Sequence, residues 1–475
     1  MTQFLQQKGV DIGLQHIPDN VHFIGIGGAG MSGLARILLE LGRRVSGSDL
    51  NKTSITKRLE SMGAVCYAGH SAENAEGVDL VVVSTAIKPE NPELAGAIEK
   101  GIPIIHRGDL LALLMKEQCG IAVAGAHGKT TTTSMMALVL EKNQLNPTIV
   151  IGGELNDIGG NAKLGRGRYL VAEADESDGS FLKLSPQIAI ITNVENDHLD
   201  YYGSVEKIKE AFKTFMAKVP GDGLAVVCLD DPGVREIMKG YKGPLATYGI
   251  DREDADFVLS NIHLEGMAST GEVFRRGKSL GLLELTVPGR HNLLNALAVV
   301  SAGMFIGLEF KDIACALKKF RGAGRRFQLT GECSGVMVVD DYAHHPSEIK
   351  ATLRAARQVG AGRIIAVFQP HRYTRTSLLR EEFGSAFLDS DLVVMDEIYS
   401  AGEKPIEGVN AGLLVDSVRR SGQKEIVHLC SREEIVDYLA GQVRPGDLIL
   451  TMGAGNIWMA GVELVQRLRS AGVRS

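Results

Sequence analysis

Apolar runs that stop abruptly at glycines or polar side chains, each followed by a helix-period pattern, recur along this chain. The first is Val21-His22-Phe23-Ile24, then GIGGAGMSG (Gly25 to Gly33) and an amphipathic stretch to Leu41. That order predicts a strand, a glycine turn and a helix. Arg44 to Asp49 reads as a second strand ending in an acid, and Val78 to Ala86 as a third with a polar exit. The pattern loosens from Ile102 to Gly120, which predicts a boundary near residue 110. GIAVAGAHGKTTTT (Gly120 to Thr133) restarts the series, and Arg168 to Phe181 and Gln187 to Asp200 are β-rich runs ending in charged or amide groups. A mixed stretch leads to Leu317, and RGAGRRF (Arg321 to Phe327) reads as a hinge. Further strands are predicted at Val336 to Asp340, Arg363 to Phe368, Leu392 to Met395 and Leu448 to Thr451, the last running into GAGNIW (Gly453 to Trp458). The pattern predicts an α/β protein of three consecutive, mostly parallel units, divided as 1–110, 111–322 and 323–475.

Length agrees with that division, since 475 residues exceed what one hydrophobic core of about 250–300 residues holds. A net charge of −6 argues against nucleic-acid binding, which calls for a basic surface. No apolar run approaches the ~18 residues of a membrane span, so no membrane insertion is expected. MTQFLQQKGVDIG at the start lacks the basic region and apolar core of a signal peptide. The six cysteines include no CxxC pair and read as buried thiols of a reducing cytoplasm, with neither a disulfide frame nor a zinc site expected. The 56 glycines are in excess, and many sit at the strand exits.

Gly25-x-Gly27-x-x-Gly30 has the dinucleotide spacing, in which glycines allow a diphosphate to approach a helix N-terminus. Asp49 follows Gly25 by 24 residues, where a ribose-binding acid is expected. Taken alone, the motif leaves open a nicotinamide or flavin site, another diphosphate ligand, or tight packing. Gly125-Ala126-His127-Gly128-Lys129-Thr130 is a shortened phosphate loop, GxxGKT, because Val123 occupies the position of the usual first glycine. Its amides suit phosphates, its lysine the β/γ oxygens and its threonine Mg²⁺, so ATP is the expected ligand. Glu173, at a strand end, suits Mg²⁺, whereas Asp175, Glu176 and Asp178 read better as a solvated acidic turn. His198 ends another strand and reads equally as structural or as a member of the metal site. His291, Asn292 and Asn295 share a helical face. DDYAHHP (Asp340 to Pro346) and QPHRYTR (Gln369 to Arg375) leave strands of the third unit, and paired arginines with histidines suit a carboxylate or phosphate.

With these motifs in the order GIGGAGMSG, GAHGKTTTT, EADESDGSF, NVENDHLD, PGRHNLLNAL, GAGRRF, DDYAHHP and FQPHRYTRT, the chain resembles the ATP-dependent Mur ligases of peptidoglycan synthesis over essentially its whole length. The resemblance implies a Rossmann-like UDP-binding domain, a central P-loop ATPase-like domain and a Rossmann-like third domain. It assigns the first glycine motif to a uridine sugar nucleotide, with Gly27, Gly28, Ala29, Gly30, Met31, Ser32, Asp49 and Ser84 on the substrate. Gly125, Ala126, His127, Gly128, Lys129, Thr130 and Thr131 are then assigned to the nucleotide's phosphates, and Thr130, Glu173 and His198 to Mg²⁺. His291, Asn292 and Asn295 look like adenine-side contacts, and Arg326 and Asp341 close the nucleotide from the hinge and third domain. Arg372 and Arg375, with His371, look like muramoyl contacts, and Tyr342 and His344 look like the amino-acid pocket. The chain departs from the family at Ala126, where threonine is common, and at Asn196, where proline is usual. Related ligases carry a carbamylated lysine after the Asp-His motif; Phe212 and Lys213 fall near that place and no modification is assigned.

The implied reaction activates the lactyl carboxylate of UDP-N-acetylmuramate with ATP and passes the acyl group to L-alanine, with Lys129, Glu173, His198, Arg326 and Asp341 as the catalytic set. A homodimer is compatible with this reading. Rival readings are a ligase attaching a tripeptide to the same sugar nucleotide, a nicotinamide oxidoreductase and a non-catalytic nucleotide-gated binding protein. EADESDGSFLKL and DDYAHHPSEI favour the alanine reaction over the tripeptide one, and GxxGKT with Glu173 is unexplained by an oxidoreductase.

Overall fold

The computed structural model describes residues 17–155, 160–423 and 425–472, so the N-terminal stretch read above for a signal peptide lies outside the described residues. The internal contacts define two compact units: residues 1–260, 273–281 and 295–317, and residues 261–272, 282–294 and 318–475.

In the first unit, Val65–Ala68, Arg44–Asp49, Asn20–Ile24, Leu80–Val83 and Ile104–His106 form a five-stranded sheet in that order. All its pairings are parallel. The strand order reverses beside Asn20–Ile24, and ligands of such sheets bind outside the carboxyl ends at that point. The glycine turn emerges there and leads into the helix Ala29–Glu40.

A ten-stranded sheet follows in the chain. Its centre is Cys119–Ala124, flanked in parallel by Ile188–Ile191 and Tyr169–Glu173. Three adjacent strands therefore discharge their polar exits along one edge. Alternate residues Ala122 and Ala124, Leu170 and Ala172, and Ala189 and Ile191 face a core that contains Phe181, Phe212 and Phe215. That alternation is the period-two signature of a pleated strand. The helix Lys129–Lys142 is buried from Thr130 through Leu140, so KTTTTSMMALVLEK carries no polar face to announce it as amphipathic.

The second unit contains a six-stranded sheet in the order Gln328–Cys333, Val336–Asp341, Asp447–Met452, Arg363–Phe368, Leu392–Met395, Ile426–His428. The edge pair Gln328–Cys333 and Val336–Asp341 is antiparallel and the other pairings are parallel. Ile364, Ala366 and Phe368 face one core with Phe383 and Phe387, while Ile365 and Val367 face another with Ile435 and Leu464. Both faces are covered, as expected of a mainly parallel sheet. The mixed α/β architecture and three sheets agree with the sequence expectation. All six cysteines are free, but only Cys66 and Cys228 are buried as expected; Cys119 and Cys333 are partly exposed, and Cys315 and Cys430 are exposed.

Candidate active site

Main-chain bonds to Ser48 shape the glycine turn of the first sheet: the N–H groups of Gly25 and Ile26 both donate to its carbonyl, at 2.8 and 2.9 Å. Gly25 has φ +81°, a left-handed conformation that suits glycine. Asp49 Oδ2 accepts the Gly27 N–H at 2.9 Å and so braces the turn. A Cβ on Gly27 would lie 2.8 Å from that oxygen, so the residue's size is fixed by Asp49. Gly28 and Ala29 are exposed at the helix start, Gly30 and Ser84 partly so, and Met31 and Ser32 are buried. Ser32 Oγ donates to Ala29 O at 3.1 Å, and Asn161 Nδ2 reaches the same carbonyl. Arg107, which the sequence reading passed over, lies along Gly30 and donates to Asp175 at 2.7 Å and Asp178 at 2.9 Å.

The second loop is held from the neighbouring strand exit. His127 N–H donates to Asn193 Oδ1 at 2.8 Å, and Thr192 Oγ1 and Asn193 Nδ2 donate back to the His127 carbonyl at 2.6 and 3.0 Å. Gly125 has φ +139°, and a Cβ there would meet Thr192 Oγ1 at 2.1 Å. Gly128 is left-handed and presses on Asn295, whose Oδ1 would stand 2.7 Å from a Cβ. Ala126 is partly exposed, and its N–H donates to Asn193 O at 3.3 Å; Thr131 is buried in the first turn of the helix.

Lys129 Nζ donates to Gly125 O at 2.6 Å, Ala126 O at 3.3 Å and Glu176 Oε1 at 2.6 Å. Burial disfavours the ammonium, but Glu176, Glu173 and Asp175 outweigh it and its pKa is raised, so the charge is held. Thr130 Oγ1 lies 3.1 and 3.0 Å from the two oxygens of Glu173, and Gly152 N–H donates to Glu173 Oε2 at 2.8 Å. Desolvation pushes the Glu173 carboxyl up despite Lys129. Asp175 is also pushed up by burial, but Arg107 and Lys129 overcome this and hold it at about 2. His198, at φ +59°, sets Nε2 3.6 Å from Glu176 Oε1 and 3.5 Å from Asp197 Oδ2.

The expectation of a solvated acidic turn fails at Glu176, whose side chain is 3% exposed. The turn folds back over the phosphate loop because Tyr202 Oη donates to the Glu176 carbonyl at 2.7 Å and Arg107 pins its flanks. Alternation along EADESD gives no hint of this, because the turn is irregular. The donors fit a hard divalent cation. Glu173 and Thr130 supply oxygens side by side, and the buried Glu176 Oε2 has no hydrogen-bond partner among the described residues.

His291, Asn292 and Asn295 fall in the first two turns of the helix Arg290–Phe305. Asn292 Nδ2 donates to Pro288 O at 2.7 Å. In the second unit, burial and then Arg326 lower the His291 pKa to about 4. Asp341 accepts from Phe327 N–H and Ala343 N–H, both at 2.8 Å. Burial, opposed by Arg326, raises it to about 6. The Arg326 guanidinium lies 5.3 Å over the Tyr342 ring and 3.4 Å from Glu348 Oε1. Its neighbour Arg325 is anchored differently, to Asp340 Oδ2 at 2.9 Å and to the carbonyls of Gly455 and Gly453 at 3.1 and 2.7 Å.

The two strand-exit clusters of the second unit meet. Ring centroids run Tyr342 to His344 at 5.4 Å, His344 to His371 at 5.7 Å and His371 to Tyr399 at 5.8 Å. Arg375 Nη1 stands 3.3 Å from His371 Nδ1, and Arg372 takes φ +69° with its N–H donating to Tyr399 O. Burial, then Arg375 and Arg372, lower His371 to about 4. Burial and Arg375 outweigh Glu348 and lower His344 to about 3. Both rings are therefore neutral at pH 7, beside two permanent cations. Tyr399 and Glu348 were not among the sequence candidates: Tyr399 lies outside every motif, and Glu348, although within DDYAHHPSEI, was not singled out.

Residues 20–118 match the profile of the Mur ligase family catalytic domain, 123–303 that of the Mur ligase middle domain, and 325–455 that of the Mur ligase glutamate ligase domain. A UDP-N-acetylmuramate–L-alanine ligase of Pelotomaculum thermopropionicum is 64% identical over 450 residues, covering 95% of this chain and 98% of that one. The crystal structure of a UDP-N-acetylmuramate-alanine ligase from Thermotoga maritima superposes with a TM-score of 0.83 at 32% identity, covering 95% and 99% of the two chains. A murein peptide ligase from Psychrobacter arcticus gives a TM-score of 0.72 at 25% identity, again over 95% and 99%. From its sheets, its phosphate loop and these likenesses, the chain belongs to the Mur ligase family.

Proposed function

We propose that this chain joins L-alanine to the lactyl carboxylate of UDP-N-acetylmuramate, consuming ATP and releasing ADP and phosphate, and does so in the cytoplasm. The observation that carries the reading is the full-length identity of 64% to an alanine-adding relative, together with an intact array of Lys129, Thr130 and Glu173 at the phosphate loop. The murein peptide ligase structure superposes less closely than the alanine ligase structure, with a TM-score of 0.72 against 0.83, which disfavours tripeptide attachment. A division at residues 110 and 322, one sheet per domain, is part of the proposal.

In this reading the loop amides from Gly125 to Thr131 hold the phosphates of ATP, and Lys129 neutralises charge as the γ-phosphoryl group passes to the carboxylate. Mg²⁺, when bound, supplies electrostatic stabilisation of the phosphate oxygens, and Thr130, Glu173 and His198 would hold it. Asn295, against Gly128, is suited to the nucleotide near its phosphates, with His291 and Asn292 toward the base. The turn from Gly27 to Ser32, with Ser84 and Asp49, positions the UDP-sugar, Asp49 by fixing the turn. The neutral rings of His344 and His371 and the cations Arg372 and Arg375 orient the muramoyl carboxylate and the alanine. Tyr342 lines the same pocket. Arg326 and Asp341 are assigned to the nucleotide by the family resemblance. The test is phosphate release by the purified protein with UDP-N-acetylmuramate and ATP, comparing L-alanine with L-Ala-γ-D-Glu-diaminopimelate. Release with alanine is expected; preference for the tripeptide overturns the reading.

A further inference from the structure

Outside the residues assigned to the ligase reaction, three side chains of different donor chemistry meet at the carboxyl edge of the second unit's sheet. Leu392–Met395 and Ile426–His428 are parallel neighbours with Met395 opposite His428. Their exits thus run side by side, as Asp396-Glu397 and Leu429-Cys430. Glu397 carboxylate, His428 imidazole and Cys430 thiol converge there, with one potential donor atom from each within 4.8 Å of the others. His428 Nε2 stands 3.0 Å from Glu397 Oε1, yet that buried nitrogen has no hydrogen bond of acceptable geometry. The sequence could not announce this site, because its donors come from two strands and no CxxC pair is present.

We propose that Glu397, His428 and Cys430 bind one borderline-soft divalent cation of the Zn²⁺ class, at a site separate from that of the nucleotide's Mg²⁺. One nitrogen, one sulfur and one carboxylate oxygen are a donor set that zinc accepts and magnesium does not. Three protein donors leave a fourth position to solvent, and Glu397 and Cys430 are exposed. The ion therefore exchanges with its surroundings rather than holding the fold together. On binding, the S–H bond breaks, the sulfur's electron pair goes to the ion and the proton leaves to solvent.

The test is calorimetric titration of the full-length protein with ZnCl₂ in excess Mg²⁺, repeated with CoCl₂ while recording the absorption spectrum. One equivalent of Zn²⁺ is expected, with about one proton released per ion at pH 7, and the Co²⁺ form shows a thiolate charge-transfer band. Cys430→Ser abolishes the band and weakens Zn²⁺ by more than about tenfold, as does His428→Gln, while Cys315→Ser at an exposed thiol changes neither. Thermal melts without zinc confirm that each variant is folded. A band that survives in Cys430→Ser, or Zn²⁺ affinity unchanged in both variants, overturns the proposal, and so does the absence of saturable binding in the parent protein.

Discussion

Lys129 Nζ lies 2.6 Å from Glu176 Oε1, and Lys129 is only 14% exposed, so the phosphate-loop cation is paired with a carboxylate that the sequence assigned to a solvated turn. The pair sets the lysine against the carbonyls of its own loop. In the proposed reaction, ATP phosphates entering the loop would compete with Glu176 for the same ammonium, which several carboxylates keep charged.

Removing the cation separates the two ligands. Lys129→Ala is expected to abolish alanine-dependent ADP release and leave UDP-N-acetylmuramate binding near that of the parent protein. Coupled-enzyme kinetics and calorimetry read the two effects. Parent-like turnover sinks the assignment of Lys129.

Glu176→Gln keeps the shape and removes the charge. Glu173 and Asp175 still face Lys129, so the loss is smaller than for an isolated buried pair, about 2 kcal/mol of unfolding free energy. Denaturant titration checks it. An unchanged midpoint would mean that the pair contributes nothing to the fold.

At Gly125 the backbone and the space argue alike. Gly125→Ala forces a side chain onto φ +139° and into Thr192 Oγ1, so it is expected to cost about 2–4 kcal/mol and to weaken ATP at least about tenfold. Equilibrium unfolding and nucleotide titration measure the two losses. Gly42, also at positive φ but with open space around it, serves as the milder control.

Asp341 gives a pH signature. Its folded pKa of about 6 lies above the ordinary 3.8, so the native state binds this proton more tightly than the unfolded chain. Stability from this group is full below about pH 4 and is lost as pH rises through 6, by roughly 2–3 kcal/mol. His291 and His371, lowered to about 4, and His344, lowered to about 3, act in the opposite sense. Their contribution is present above pH 6.5 and is lost on acidification. The difference in unfolding free energy between the parent and Asp341→Asn, followed from pH 4 to 7, isolates the carboxyl. A flat difference refutes the raised pKa.

Much of the site was legible in the chain. GxxGKT after an apolar strand requires a loop whose amides are free, and the strand order then brings Glu173 beside Thr130. Gly152 had no explanation in the sequence; in the fold its N–H caps Glu173, and a Cβ would crowd that carboxylate at 2.8 Å. Asp49 was correctly singled out as a strand-end acid, but the fold turns it inward onto Gly27. The helix that follows the loop hides its environment, because four threonines are buried with methionines and leucines.

The sequence by itself determined the alternation of strands and helices, the two glycine turns and the charges that leave each strand, because periodicity, φ preference and side-chain chemistry are local. Only the tertiary structure decided which of those charges meet. Glu176 with Lys129, Arg107 with Asp175, and Glu397 with His428 and Cys430 are brought together from distant stretches by strand order and register. Those contacts depend on which strand lies beside which, and that is fixed by burying both faces of a parallel sheet rather than by any spacing along the chain.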